Sequence, residues 1–504
     1  MSPAAQAAPD VHQTTRSGGL DSRLAELADA IARAASGAAD SGRRGGPLPA
    51  GTPAEALAEA AAMLGPAGIP ADGIGTDAAL HRMALLLARY AIDLGHPHSA
   101  AHLQPQPMMI AVAADALISA GNASLDTYDS AGAAGIAAEQ WVLCGLTSLA
   151  GLGDRADGVF TPGGTMSNLT ALLLARDAVA ARLGVDVRRD GVGALRRPVV
   201  FCSEHGHFSV QRACATLGLG ESAAVVVPAD TGHRMRADAV RAATRALGPV
   251  TPIAVVATAG TTDFGTVDPT GELADVAAEL GAWLHVDAAY GFGALFSDHL
   301  AARVPDLARA DSITVDLHKL GWQPAAASVL LVRDGAVFET LDRSVDYLNP
   351  VDDREAGYDG LLGRTLQTTR RADAVKVAAT LLAHGRRGLG RMVDACHRLA
   401  CHAESRISAD PRLELVAPAT LTTVVFRFRA VGADGVGADR INAELRRRLL
   451  RSGTAVIGRT TVAGATCLKL TLLNPSATES DVDAMVTAVL AAGDEVEAEL
   501  EGDR

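Results

Sequence analysis

Aromatic side chains are scarce: the 504 residues include 3 Trp, 5 Tyr and 9 Phe. Packing must therefore rest on small aliphatic groups, and the Ala and Gly richness reads as compositional bias, not as a special architecture. Positive charge is also short. Lys and Arg total 45 against 58 Asp and Glu, a net charge of −13, which argues against nucleic acid or an anionic membrane as a partner. No apolar run is long enough to span a bilayer; Met108 to Ala120 comes nearest, and Asp115 interrupts it. The start lacks the basic-then-apolar pattern of a secretory signal. Six cysteines in so long a chain do not suggest a disulfide framework, and a reducing cytoplasm is expected. Cys202 and Cys467 fall in strand-like runs and read as core thiols. Cys396-His397 and Cys401-His402, spaced i, i+5, read as ordinary helix residues, so no metal site is expected.

The length allows a large core and more than one domain. Residues 1 to about 18 are polar, Ala-rich and expected to be disordered. Leu20 to Ala35 has helical periodicity, and Ser36 to Thr52 reads as a linker, so residues 1–52 form an arm with one short helix. Pro53–Leu64 and Thr76–Leu94 look helical, within an N-terminal helical segment at 53–139. From about residue 140 strands and helices alternate. Strand-like runs are Gly158–Thr161, Pro198–Ser203, Ala223–Pro228, Ile253–Thr258, Trp283–Asp287, Ser312–Val315 and Ala327–Val332. Ser167–Arg182, Phe208–Leu217, Arg236–Leu247 and Gly271–Leu280 read as the helices between them. The expected fold class is α/β: a mainly parallel, seven-stranded large domain at 140–370, covered on both faces. Residues 371–504 read as a smaller α+β domain. Its helices are Ala372–Leu382, Gly390–Ser408, Ala438–Leu450 and Glu479–Ala491, the last behind a Ser476/Thr478 cap, and its strands are Leu421–Arg427 and Leu468–Leu472.

Two segments carry the chemistry. Asp311 to Lys319 is an apolar run ending in Asp316-Leu317-His318-Lys319. A lysine just past a buried strand is rigidly held and partly desolvated, which favours the neutral, nucleophilic amine. Trp283 to Gly291 is a second such run, ending in Asp287-Ala288-Ala289-Tyr290-Gly291. An aspartate at the carboxyl end of a parallel strand faces the ligand crevice of α/β folds, where it favours a protonated pyridine nitrogen. A helix cap or loop salt bridge is the plainer reading of Asp287 taken alone.

The two segments, in this order and about 30 residues apart, resemble the group II pyridoxal-phosphate-dependent amino-acid decarboxylases. Three further motifs join them: Phe160-Thr161-Pro162-Gly163-Gly164-Thr165-Met166-Ser167-Asn168-Leu169; Ser203-Glu204-His205-Gly206-His207; and Ala259-Gly260-Thr261-Thr262 with Gly265. The resemblance runs from about His96 to about Asp483. It implies the fold type I, aspartate-aminotransferase-like architecture, pyridoxal 5′-phosphate as cofactor, and a homodimer with its active site at the interface, the 53–139 segment wrapping the partner. It implies that Gly164 and Thr165 contact the phosphate. Pro162 stands where relatives often have Ser, removing one donor. His207 is implied to stack on the ring and guide the substrate carboxylate, Ala289 to pack on the opposite face, and Thr262 to support the ring and Asp287. Lys319 forms the Schiff base. Asp316 lies near the phosphate, and His318 contacts phosphate or substrate. A loop tyrosine in the stretch Asp342–Arg364 returns the proton to Cα; family spacing favours Tyr358, with Tyr347 the alternative.

Three stretches lean toward the bacterial 2,4-diaminobutyrate and siderophore-type diamino-acid decarboxylases: His96 to Pro105, Asn122 to Asp129, and His318 to Pro324 with Thr368-Thr369-Arg370-Arg371. Asp126 and Asp129 are candidates for binding a distal ammonium, or turn residues. Leu103-Gln104-Pro105-Gln106-Pro107 departs from the branch pattern, which leaves branched aliphatic and aromatic substrates open. Aminotransferase, lyase or aldehyde-forming chemistry also remains open on such a fold, as does a non-catalytic scaffold, against which the intact Lys319, Asp287 and His207 set argues. Arg370 is the single candidate for the α-carboxylate clamp that an aminotransferase requires.

Overall fold

A computed structural model describes residues 20–38, 42–430 and 435–502; the disorder expected for residues 1 to about 18 lies outside them. Strand β1 (Ser99–Ala100) precedes seven strands of one sheet: β2 (Asp157–Thr161), β3 (Pro198–Ser203), β4 (Ala224–Val227), β5 (Thr251–Thr258), β6 (Trp283–Asp287), β7 (Ser312–Asp316) and β8 (Ser328–Val332). Their order is β2-β8-β7-β6-β5-β3-β4, with β8 antiparallel to both its neighbours and the other pairings parallel. This is the mainly parallel, seven-stranded α/β sheet expected from the alternating pattern.

Side chains alternate across the sheet, and both faces are dry. On one face Val200, Cys202, Ala254 and Val256 pack on Leu172, Ala175 and Val179 of the helix Gly164–Arg182. On the other, Phe201, Val255, Ala257 and Val286 meet Val142 and Leu146 of the helix Tyr128–Leu149 and Leu273 and Val276 of the helix Thr270–Leu280. Burial on both sides explains why these strands are continuous apolar runs. The register aligns Thr258 of β5 with Asp287 of β6, and Asp287 with Thr314 of β7. The polar ends of three strands therefore sit side by side at the carboxyl edge.

A second sheet has the order β1-β11-β12-β10-β9, built from β9 (Leu413–Ala417), β10 (Thr423–Phe428), β11 (Val456–Val462) and β12 (Ala465–Thr471). β1 joins its edge parallel to β11, and the remaining pairs are antiparallel. The helices Gly435–Ser452 and Glu479–Gly502 cover this sheet. Ala374–Ser408 runs between the sheets and breaks at Gly385, where φ is 61°, so the two helices read on either side of Leu382–Gly390 are real. The closing helix extends past the expected Ala491 because Val489, Ala492 and Val496 continue its buried stripe. Thr478 does cap it: its Oγ1 accepts from Asp481 N at 3.3 Å and its N–H donates to Asp481 Oδ2 at 2.8 Å. Among the described residues no helix is long and apolar enough to cross a membrane.

Candidate active site

Nine of the ten residues singled out for catalysis or cofactor binding line one cavity of about 320 Å³ at the carboxyl edge of the larger sheet: Gly164, Thr165, His207, Thr262, Asp287, Ala289, Asp316, His318 and Lys319. They arrive from five segments: the helix start at Gly164 and Thr165, the turns after β3 (His207) and β5 (Thr262), the end of β6 (Asp287, Ala289) and the end of β7 (Asp316, His318, Lys319). β2 ends at Thr161, Gly163 turns with φ 132°, and the helix Gly164–Arg182 begins. Its first N–H groups have no intrahelical partner and point, with the positive helix end, at whatever occupies the cavity. A Cβ on Gly164 would meet both carboxylate oxygens of Asp316 at 2.9 Å, so only glycine lets these two segments meet. Gly260, with φ 94°, stacks directly on the Gly291 backbone, where a Cβ would lie 2.7 Å from nitrogen; this close approach brings Thr262 to the cavity rim.

Lys319 follows β7 by one turn. Its Nζ lies 3.1 Å from Asp316 Oδ2, and its side chain is 20% exposed. Asp316 also accepts from Ser328 Oγ at 2.6 Å, and His318 Nε2 is 3.7 Å away. Burial holds the His318 ring below its ordinary pKa, against the pull of Asp316. Asp287 ends β6. Its Oδ2 accepts from Asn168 Nδ2 at 2.8 Å and its Oδ1 from the Ala289 N–H at 3.2 Å. No described residue forms an ion pair with it, so its charge faces the cavity uncompensated. Burial pushes the pKa of His207 down as well, which makes it a neutral imidazole at physiological pH.

Tyr358 is not in the cavity. It is 61% exposed and packs edge-on against Tyr128 with ring centroids 5.8 Å apart; Tyr347 is 83% exposed. The loop bearing Tyr358 is nonetheless anchored, Leu361 and Leu362 donating to the carbonyls of Leu125 and Asp126 at 2.9 Å each. Asp126 is buried, and its Oδ1 has no hydrogen-bond partner among the described residues. Arg370 is also absent from the lining; Glu139 holds it instead.

Sequence reading missed the role of a buried polar group: Asn168, which lines the cavity, and Ser209, His285, Ser312 and Thr314 beneath it. The signal was present. His285 precedes Asp287 by two on β6 and so shares its face, and Asn168 lies one helical turn beyond Gly164. A second signal was composition. Lysine occurs three times in the sequence, at 319, 376 and 469, and all three side chains are largely buried, at 20%, 0% and 8% exposure. Arginine supplies the surface cations, so a lysine here is far from the solvated charge it would be elsewhere.

A cavity at the strand ends of a doubly covered sheet, with a helix start for a phosphate, an unpaired carboxylate for a ring nitrogen and a strand-end lysine, defines a pyridoxal-phosphate enzyme of fold type I. The residues present fit that cofactor: the cavity of about 320 Å³ brings the helix start, Asp287 and Lys319 together. Residues 76–429 match the pyridoxal-dependent decarboxylase conserved domain, and the chain belongs to that family: it is an amino-acid decarboxylase that uses pyridoxal phosphate. It is 42% identical over 424 residues to an L-2,4-diaminobutyrate decarboxylase of Rhizobium meliloti (strain 1021), covering 84% of this chain and 83% of that one. It is 35% identical over 437 residues to the protein of the same name in Acinetobacter baumannii, covering 84% and 85%. Among solved structures, it resembles the glutamate decarboxylase domain of diaminobutyrate-pyruvate transaminase and L-2,4-diaminobutyrate decarboxylase from Vibrio parahaemolyticus, with TM-score 0.84, 34% identity and coverage of 95% and 97%.

Proposed function

We propose that the protein converts an L-diamino acid, with L-2,4-diaminobutyrate the leading candidate, to the corresponding amine and CO₂. One observation carries the site assignment: Lys319, Asp287, His207 and the start of the helix Gly164–Arg182 face a single cavity. The names of the relatives at 42% and 35% identity support the substrate.

Bound pyridoxal phosphate supplies a conjugated ring that accepts the electron pair left when the bond to the α-carboxylate breaks. The chain's own groups prepare that step. The N–H groups of Gly164 and Thr165, with the Thr165 hydroxyl, hold the phosphate. Asp287 retains a proton on the ring nitrogen, and Thr262 supports that end. Ala289 would leave room for a flat ring, and His207 would stack on it. Lys319 would hold the cofactor through Nζ, the position a substrate amine would take. Asp316 would repel a phosphate if unpaired; Ser328 Oγ donates to one of its oxygens, and Lys319 Nζ lies 3.1 Å from the other in the chain without cofactor. His318 meets the phosphate or substrate. After CO₂ departs, Tyr358 returns a proton to Cα. Its exposure in a single chain is consistent with a loop that closes on substrate or serves a second subunit.

We further read residues 53–139 as the segment that wraps a partner in a homodimer, 140–370 as the cofactor-binding domain, 371–504 as the small domain, and the enzyme as cytoplasmic. Incubating the holoenzyme with a panel of L-amino acids, and measuring CO₂ and amine by mass spectrometry, tests the substrate. Release of a diamine from L-2,4-diaminobutyrate is expected. Preference for a branched aliphatic or aromatic acid overturns the substrate assignment, and an oxoacid or aldehyde product overturns the reaction.

A further inference from the structure

Beneath the cavity runs a chain of hydrogen bonds whose direction follows from chemistry, bond by bond. Asp287 Oδ2 stands 2.8 Å from Asn168 Nδ2. A carboxylate only accepts, so the Asn168 amide group must donate there, and the orientation of its side chain is fixed. Asn168 Oδ1 then accepts from Thr314 Oγ1 at 2.7 Å and from His285 Nε2 at 3.0 Å. His285 is wholly buried, and burial pushes its pKa down to about 4, so the ring is neutral. With the proton on Nε2, its Nδ1 is bare and accepts from Ser312 Oγ at 2.8 Å, while Ser312 accepts from Trp283 Nε1 at 2.8 Å. Every donor from Trp283 onward points toward Asn168.

The second N–H of Asn168 reaches Ser209 Oγ at 2.9 Å. Ser209 receives on that side and keeps its own proton available for His207 Nδ1, 2.8 Å away. The Ser209 backbone N–H points at the same nitrogen from 3.3 Å. Two donors converge on His207 Nδ1, which leaves no room for a proton there. The single proton of the neutral ring is on Nε2. No described residue hydrogen-bonds to Nε2, and His207 lines the cavity.

We propose that Asn168 is a positioning residue: acting through Ser209, and anchored on Asp287, it sets His207 in the Nε2–H tautomer, so that the cavity is offered an N–H donor instead of a bare lone pair. Such a donor suits an anionic oxygen, whether of an α-carboxylate or a phosphate, which a lone pair would repel. The assignment does not depend on which amino acid is decarboxylated. Full-length enzyme carrying ¹⁵N-histidine, apo and cofactor-loaded, reports the tautomer in long-range ¹H–¹⁵N correlation spectra, with the His207 signal identified by its loss in His207→Gln. Wild type should show protonated Nε2 and bare Nδ1. Asn168→Asp is nearly isosteric; it must share a proton with Asp287, 2.8 Å away, and its carboxyl oxygen then accepts from Ser209 and turns the relay round, so the tautomer ratio should shift toward Nδ1–H by at least about tenfold, a free-energy change of about 1.4 kcal/mol. A wild-type His207 protonated on Nδ1 overturns the proposal with no variant needed. An unchanged ratio in a folded Asn168→Asp enzyme overturns it equally.

Discussion

Arg370 Nη1 sits 2.9 Å from Glu139 Oε1 and 3.1 Å from Oε2, with both side chains almost fully buried. The same nitrogen lies 3.4 Å from the Phe160 carbonyl, at the strand that leads into Gly163 and Gly164. This arginine does not line the cavity. It cannot clamp an α-carboxylate, and the sequence offers no other candidate for the aminotransferase reading. Breaking the pair by Glu139→Gln should lower the unfolding free energy by about 3–5 kcal/mol, because the guanidinium is then left buried without its counter-charge. Urea denaturation measures this. A loss below about 1 kcal/mol would show that solvent reaches the pair.

Lys319→Ala should abolish turnover and the visible absorbance of the lysine-bound cofactor, while dialysis still recovers some cofactor through the remaining polar contacts. Lys376 and Lys469 cannot substitute. Lys376 Nζ is tied to Asp373 at 2.9 Å and the Ala326 carbonyl at 3.0 Å, and Lys469 Nζ to Asp263 at 2.8 Å. Undiminished amine production by the purified variant would remove Lys319 from the mechanism.

Tyr358→Phe should slow amine release by about 10²–10⁴-fold, the range for a positioned proton donor, with cofactor affinity nearly unchanged because the residue lies outside the cofactor cavity. Tyr347→Phe is the internal comparison. If it carries the loss and Tyr358→Phe does not, the two tyrosines exchange roles.

His285 gives a pH signature. Its pKa is about 4 in the folded state against an ordinary value of 6.5. Between those values the unfolded chain binds the extra proton, so acidification removes stability, on the order of 3 kcal/mol in all. Asp268 works the other way. Burial lifts its carboxyl to about 6, so the folded state binds a proton first as pH falls toward 4, and stability is gained. Since the two oppose each other, the test compares variants. Between pH 7 and 4, His285→Gln should lose on the order of 3 kcal/mol less than wild type in urea titrations. Parallel curves for the two proteins would mean that folding does not change how His285 binds its proton.

The larger sheet was legible because its strands are buried on both faces and flanked by turns: β3 and β6 begin and end where the apolar runs do. β9 and β11 were not legible. Half of each faces outward, so Glu414, Arg459 and Thr461 interrupt the apolar signal. The helices Met109–Gly121 and Tyr128–Leu149 were obscured by their Ala and Gly content, which carries little periodicity. At the site, Lys319, Asp287 and His207 stood out because their types are rare in apolar surroundings. Asn168 and Ser209 did not, because an amide or hydroxyl near a helix start looks like a cap until the fold brings Asp287 and His207 against it.

β1 has a consequence for how the chain comes together. His98 accepts the Val456 N–H at 2.9 Å through its carbonyl, and its ring meets the carbonyl of Thr454, 356 positions away. During synthesis the edge that Ser99 and Ala100 complete does not exist until almost the whole polypeptide has emerged. Closing so long a loop is entropically slow, so the early helices must wait, partly uncovered, for a late-made neighbour, and a nascent chain stalled before residue 456 should be a ready target for chaperones.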